Sequence, residues 1–432
     1  MNVMNIEVTK DMKENPKIYC NYLDYKSDIL EFEGIDCSKL AERYGTPLYC
    51  YSHREIKNNY KKFKDAVSNF KSSIFYAVKA NFNPQIIKLL AKEGAGADVV
   101  SRGEIELSLS AGMKPNKIVF SGVGKSQGDI EFAIKKKIFQ INVESYEELK
   151  EIEEIQKKIK KKQNINISLR VNPNIDAKTH KKISTGKSED KFGIPSTKIL
   201  QIFKEFRNNK FLKISGLAIH IGSQITNIKP FNEAFKKLRK LVLQLNREGH
   251  NLKKLDLGGG IGIVYSDNKT INLSEYTNTI NKNFGDLNLD LLFEPGRSLI
   301  GSAGILISRV IRNKKGEKND FLIIDSGMND LIRPSMYDSY HNVIPVRRKK
   351  KSLKLYDIEG PICETGDSFG KNRKLQNYAK GDLLVLCSVG AYGSSMSSYY
   401  NCRIPADEII INNGKVLKTK KNIKPQNLYL KV

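Results

Sequence analysis

The 432-residue sequence has no run of uncharged apolar residues long enough to span a bilayer. Its start, Met1-Asn2-Val3-Met4-Asn5-Ile6-Glu7, lacks the basic-then-apolar pattern of a secretory leader. These two absences set the expectation of a cytoplasmic protein. Cysteine is scarce too, with Cys20, Cys37, Cys50, Cys363, Cys387 and Cys402 showing no C-x-x-C spacing. A cytosol would keep such thiols reduced, so neither a metal site nor structural disulfides are expected, and most of the six read as small apolar residues. Internal repeats and low-complexity linkers are also missing.

Acidic residues are in deficit, 47 against 73 Lys+Arg, for a formal charge of +26. That balance can mark a nucleic-acid surface. Here the lysines lie in runs, as at Lys135-Lys136-Lys137, 157–162 and 347–351, without interleaved aromatic residues or a known nucleic-acid module. A solvated surface is the simpler reading, so no specific nucleic acid and no membrane is expected as a partner. Any residual polyanion binding should be sequence-blind and vanish at moderate salt.

What the chain does have is rhythm. Between about residue 70 and residue 300, short apolar runs rich in β-branched residues alternate with longer amphipathic stretches. Strands are expected at 73–78, 97–100, 117–121, 138–143, 165–171, 214–220, 254–257 and 290–294. Helices are expected at 83–93, 103–111, 127–136, 145–161, 197–208, 230–247 and 274–283, with Gly94, Gly112 and Gly249 where helices stop. Eight such units in a row favour a closed (β/α)8 TIM-type barrel over an open doubly wound sheet. After about residue 305 the spacing shortens to strands at 305–311, 321–325, 353–358, 383–389 and 408–411, which reads as a second, all-β domain. The expected division is an N-terminal segment (1–45) that joins the β domain through a strand near 19–32, a barrel (46–305) and a C-terminal β domain (306–432).

In a (β/α)8 barrel the chemistry gathers at the C-terminal strand ends. Here those ends carry Lys79, Ser101, Ser121, Asn142 and Glu144, Arg170 and Asn172, His220, the Gly258-Gly259-Gly260 turn, and Glu294 with Arg297. For a lone lysine in so basic a chain, a solvated strand end is the better reading. An apolar barrel mouth would instead disfavour its ammonium and supply the neutral amine that Schiff-base chemistry needs. The glycine turn can direct backbone amides at a phosphate, although such turns also serve tight connections. Glu294 could pair with a protonated pyridine nitrogen, or be one half of an ordinary Glu-Arg surface pair. In His220-Ile221-Gly222-Ser223-Gln224 the ring could stack on a cofactor with Ser223 near its phosphate; a satisfied structural histidine is the alternative.

Taken together, Tyr76-Ala77-Val78-Lys79-Ala80-Asn81, His220-Ile221-Gly222-Ser223-Gln224, the glycine turn and Glu294-Pro295-Gly296-Arg297 resemble the alanine-racemase-type fold of pyridoxal-phosphate decarboxylases, from about residue 40 to 405. Within that group the resemblance is greatest to the diaminopimelate decarboxylases. Three further segments look like that family's signatures: Met328 to Tyr337, Gly360 to Asp367, and Gly390 to Asn401. The resemblance implies decarboxylation of meso-2,6-diaminopimelate to L-lysine and carbon dioxide, the last step of lysine biosynthesis, with pyridoxal 5'-phosphate as cofactor. By it, Lys79 holds the cofactor as a Schiff base, Gly258, Gly259, Gly260 and Ser223 bind its phosphate, and Glu294 faces the ring nitrogen. His220, Pro295, Gly296, Arg297 and Tyr392 complete the cofactor site. Arg297, Arg333, Tyr337, Glu364 and Tyr392 would hold the substrate, and Cys363 would donate the proton. The resemblance also implies a homodimer in which the loop bearing Cys363 and Glu364 reaches the partner's barrel.

The substrate can be argued from charge as well. Its end remote from the reacting carbon carries both an ammonium and a carboxylate, and Glu364 with Arg297 and Arg333 offers the matching anion and cations. A decarboxylase of ornithine, arginine or a carboxylated polyamine is the alternative on this fold, as are a racemase and a non-catalytic binding protein. In Asp98-Val99-Val100-Ser101-Arg102-Gly103-Glu104, Arg102 stands where the family usually has Gly, and it is left unassigned.

Overall fold

The computed structural model describes residues 15–159, 165–177, 179–183, 185–187, 189–266, 270–349 and 353–429. Residues 1–14, for which the sequence offered no reading, lie outside these, as do parts of the lysine runs at 157–162 and 347–351. Among the described residues no helix is long and apolar enough to cross a membrane. The described residues divide into two compact units, one within 59–262 and 270–298, the other within 15–58, 263–266 and 299–429.

The first unit is a closed barrel. Eight parallel strands run in the order Ser72–Ala77, Gly96–Val99, Ile118–Phe120, Gln140–Val143, Asn166–Asn172, Ile214–Ala218, Lys254–Asp256 and Asp290–Phe293. The last returns to the first, with Phe293 opposite Ile74, so the sheet has no open edge. Strands such as Gly96–Val99 and Gln140–Val143 are buried at every position, as expected where a parallel sheet is covered on both faces. Their ends lie within a residue or two of the boundaries read from the sequence.

The helices between them start where side chains replace missing backbone acceptors. Asn83 Oδ1 accepts from the Gln85 amide ahead of Pro84, and Ser126 and Asp129 form a reciprocal capping box. The helix Lys229–Arg247 shows the packing logic: Phe231, Ala234, Phe235, Leu238, Val242 and Leu245 recur at three and four and are all buried. Phe235 meets Phe284 edge-on at 5.5 Å, and each such buried side chain contributes about 1.5–3 kcal/mol.

The second unit centres on a mixed sheet, in the order Ser368–Gln376, Leu353–Glu359, Asp320–Ile324, Gly304–Lys314, Leu48–Ser52, Asp407–Asn412 and Lys415–Lys420. Leu383–Leu386 pairs with Gly304–Lys314 and also with Val343–Pro345. Two pairings are parallel, Asp320–Ile324 with Leu353–Glu359 and Leu48–Ser52 with Asp407–Asn412, so the all-β pattern expected here is a mixed sheet with short helices.

The segment near 19–32 is strand and lies in the second unit, where Leu23–Lys26, Ile29–Phe32 and Ile35–Asp36 form an antiparallel sheet of their own. Its Leu23, Leu30 and Phe32 share a core with Leu48, Ile305 and Val385. The strand Leu48–Ser52, counted with the barrel by the boundary at residue 46, is a member of the main sheet. It is buried throughout, and a fully buried apolar run has no alternation to say which kind of sheet holds it.

Candidate active site

Lys79 sits in a single 3-10 turn, Val78–Ala80, that caps the first barrel strand. The Tyr76 hydroxyl donates to the Asn81 carbonyl and holds that turn closed. Lys79 Nζ donates to Asp98 Oδ2 at 2.8 Å, where Asp98 lies opposite Ala77 on the neighbouring strand. The lysine side chain is 36% exposed and the aspartate fully buried. An apolar surrounding that disfavours the ammonium is therefore not what the structure provides, because a carboxylate in contact favours the charged amine. Glu104, beside this pair, has its carboxyl pushed up to about 7, chiefly by burial.

Glu294, at the end of the eighth strand, is buried beside a second carboxyl, Asp256. Asn142 Nδ2 donates to Glu294 Oε1 at 3.1 Å and to Asp256 Oδ2 at 3.0 Å. Ser121 Oγ also reaches Glu294, and the Gly258 amide donates to Asp256 Oδ1. Burial raises Glu294 well above the ordinary carboxylate range, reinforced by the like charges of Asp256 and Asp98. Glu294 is thus one of two neighbouring buried carboxyls whose ionisation burial opposes, rather than half of a surface ion pair. Arg297 Nη2 donates to Ser223 Oγ at 3.0 Å.

The glycine turn is dictated by close packing as much as by any ligand. Gly258 and Gly260 have φ of +64° and +105°, and a Cβ on Gly260 would stand 2.5 Å from the Gly222 carbonyl oxygen. A Cβ on Gly259 would stand 2.3 Å from that of Glu294. The Gly259 amide donates to His220 Nδ1 at 3.3 Å, which places the imidazole proton on Nε2. Burial, with Arg170 and Lys79, holds His220 well below its ordinary pKa, so the ring is neutral. The Gly260 amide has no protein acceptor among the hydrogen bonds of the described residues. Gly296 fits against Ala77 and Ala80, where a Cβ would approach both methyls to 3.0 Å, and the Pro295 carbonyl accepts from the Ala77 amide.

Other polar strand ends turn out to serve the frame. Ser101 caps the helix Arg102–Ser110, Glu144 pairs with Arg170 at 2.7 Å, and Asn172 clasps the carbonyls of Lys187 and Phe192. Arg102 points outward, bonded to Glu106 and stacked over Phe132. Sequence reading passed over Asp98 and Asp256. Their signal was present, since an acid inside an otherwise apolar strand is seldom buried without a role.

The second unit carries the remaining candidates. Arg333 opens the short helix Arg333–Tyr337 and is buried; its Nη1 meets His341 Nε2 at 2.7 Å and its guanidinium lies over the Tyr265 ring. Tyr337 is half-buried at the other end of that helix. Cys363 and Glu364 are exposed on one loop, clasped to the segment 400–401 by Cys363 N–H to Asn401 Oδ1 at 2.8 Å and by Tyr400 Oη to Glu364 Oε2 at 3.1 Å. An exposed Cys363 is not a packing residue, unlike the buried Cys20, Cys37, Cys50 and Cys387. Tyr392 is half-buried with φ of +57°.

A lysine, a neutral histidine, a glycine turn and a buried acid at the mouth of one barrel define a class. Residues 53–301 match the pyridoxal-binding domain of the pyridoxal-dependent decarboxylases. The diaminopimelate decarboxylase of Aquifex aeolicus is 42% identical over 407 residues, 94% of this chain and 96% of that protein. The diaminopimelate decarboxylase of Helicobacter pylori, solved with L-lysine, superposes with a TM-score of 0.87 at 41% identity, over 91% of this chain and 98% of its own. That of M. jannaschii, also with L-lysine, reaches 0.90 at 35% identity, over 96% of this chain and 98% of its own. The chain belongs to the diaminopimelate decarboxylase family of pyridoxal-dependent decarboxylases.

Proposed function

We propose that the chain decarboxylates meso-2,6-diaminopimelate to L-lysine and carbon dioxide, with pyridoxal 5'-phosphate attached at Lys79. One observation carries the reading: Lys79 and Glu294 follow the ends of the first and eighth strands, which are paired in parallel where the barrel closes, so a lysine and a buried acid share one barrel mouth. The residues present suit the cofactor. The Gly260 amide is available to an anion, Ser223 and Arg297 stand together as further donors, and Glu294 offers a buried acid.

Pyridoxal phosphate, when bound, supplies an aldehyde with which amines condense and a ring that accepts the electrons released as a carboxylate leaves. The chain's own groups do the rest. Lys79 Nζ is the anchoring amine, and Asp98 Oδ2, 2.8 Å from it, holds it at the barrel mouth. Gly258, Gly259, Gly260 and Ser223 receive the phosphate. Glu294 would face the ring nitrogen as a buried carboxyl, while the uncharged His220 offers a flat face without a competing charge. Pro295 and Gly296 set the backbone that aims Glu294 and Arg297, and Tyr392 contacts cofactor and substrate.

Arg297, Arg333 and Tyr337 receive the substrate's carboxylate remote from the reaction, and Glu364 its ammonium. Cys363 Sγ donates the proton that replaces the lost carboxylate. Cys363 and Glu364 are exposed in the single chain, which supports a homodimer in which this loop completes the partner's barrel; activity should then fall on dilution. Six unpaired cysteines suit a reducing compartment, the cytoplasm.

The test is to purify the protein with its cofactor, record the visible absorbance, and measure carbon dioxide release from meso-diaminopimelate, ornithine, arginine and a carboxylated polyamine, beside Lys79→Ala. Lysine should form from meso-diaminopimelate alone and only with Lys79 present. Equal turnover by the variant would refute the assignment.

A further inference from the structure

Arg333 is held from two sides inside the second unit. Its Nη1 meets His341 Nε2 at 2.7 Å and its Nη2 donates to Ser339 Oγ at 3.2 Å, with the guanidinium carbon 4.5 Å from the centre of the Tyr265 ring. His341 has no exposed surface, and Arg333 is 4% exposed. The far nitrogen of the imidazole, Nδ1, lies 2.9 Å from the Cys387 carbonyl oxygen. A carbonyl only accepts, so Nδ1 carries the proton. In a neutral ring Nε2 then presents a lone pair to the arginine N–H, whereas a doubly protonated ring would set two donors against each other at this distance. Tyr265 packs edge-on against the same imidazole at 5.1 Å and closes the arrangement.

We propose that His341 is a positioning residue for substrate recognition, holding the Arg333 guanidinium in the orientation that receives the carboxylate remote from the reacting carbon. The inference rests on the reading of Arg333 as a ligand of that carboxylate. Its physical basis is the relay from the Cys387 carbonyl through a single tautomer to a buried cation: Cys387, directly after the strand Leu383–Leu386, fixes the ring, and the ring fixes the guanidinium plane. One bond to His341 and one to Ser339 set the direction of the guanidinium. An aromatic face beneath it leaves rotation in that plane as the freedom still to be removed, and His341 removes it.

Two substitutions separate this role from a merely structural one. Asn at position 341 places its amide near the Nδ1 site, keeping a donor for Cys387 but no acceptor for Arg333; Gln reaches the Nε2 site and keeps the acceptor. The holoenzyme is titrated with L-lysine, which retains the remote carboxylate, and with cadaverine, which lacks it. His341→Asn should weaken L-lysine by about tenfold, the size of one charge-assisted hydrogen bond, and leave cadaverine within about twofold. KM for meso-diaminopimelate should rise by a similar factor with kcat little changed, and His341→Gln should restore both.

Arg333→Met is run alongside. If it leaves the preference for L-lysine over cadaverine intact, Arg333 is not the carboxylate ligand and the inference falls with that reading. If Arg333→Met abolishes the preference but His341→Asn does not reduce it, or Gln is as poor as Asn, the positioning role is overturned while the reading of Arg333 stands. Should His341→Asn yield no folded holoenzyme, Ser339→Ala removes the other anchor from a half-buried position. It must lower the same preference, and an unchanged ratio overturns the proposal.

Discussion

Lys79 Nζ lies 2.8 Å from Asp98 Oδ2, a contact made possible because the first two barrel strands are in parallel register with Ala77 beside Asp98. The pair is lopsided, with the acid fully buried and the lysine side chain 36% exposed. Removing the cation strands a buried carboxylate.

In the cofactor-free protein, Lys79→Met should therefore lower stability by about 2 kcal/mol, less than for a pair buried on both sides because solvent screens the exposed lysine. Asp98→Asn in the same chain should recover most of it. Urea unfolding of the parent, both single variants and the double variant measures the coupling; a Lys79→Met protein as stable as the parent would contradict the pairing.

Glu294→Gln keeps an acceptor for Asn142 and nearly the same shape, so the fold should persist. What it loses is the ionisable carboxyl that faces the ring. Turnover is expected to fall about a hundredfold or more, with a changed absorbance of the bound cofactor. Steady-state kinetics and the visible spectrum test this together, and an unaltered spectrum with full turnover would remove Glu294 from the mechanism.

Glu104 gives a pH prediction with a definite sign. Its folded carboxyl stands at about 7 against an unfolded value near 4.5, so between those values the folded chain binds more proton than the unfolded one. Its contribution to stability is therefore fully favourable below the unfolded value and is lost as pH rises through about 7. Glu104→Gln, which can still accept from the Val100 amide, should gain stability relative to the parent between pH values of about 5 and 8. Thermal melts of both proteins across that range check it; a constant difference would mean that Glu104 titrates normally.

Gly259→Ala would press a methyl to 2.3 Å from the Glu294 carbonyl oxygen and must move one of the two loops. A loss of about 1–3 kcal/mol and weaker cofactor binding are expected. Gly103→Ala makes the control, because its Cβ would come no closer than 3.8 Å to Ser101 Oγ within a helix. It should be neutral or stabilising by up to about 1 kcal/mol. Urea midpoints and cofactor titration distinguish the two positions.

Much of the architecture was legible from local pattern. The eighth strand, expected at 290–294, is Asp290–Phe293, and the helix expected at 127–136 is Gln127–Lys136. Leu48–Ser52 falls on the barrel side of a boundary at residue 46 but pairs in the mixed sheet, and five buried residues look alike in either setting. The amphipathic helix His53–Ala66 was passed over altogether, although Ile56, Tyr60 and Phe63 recur at helical spacing. At the site, the strand-end residues were found by position, while the carboxyl partners Asp98 and Asp256 were not.

Order along the chain determined the eightfold alternation, the lysine, histidine, glycines and acid at successive strand ends, and the change to a mixed sheet afterwards, because apolar periodicity is a property of neighbours in sequence. Which groups bond was decided only by folding. Asn142 and Glu294 are 152 positions apart and meet only because the barrel closes. The raised pKa of Glu294, the His220 tautomer and the aim of Arg333 all follow from burial and from atoms brought close through space, which no local pattern encodes.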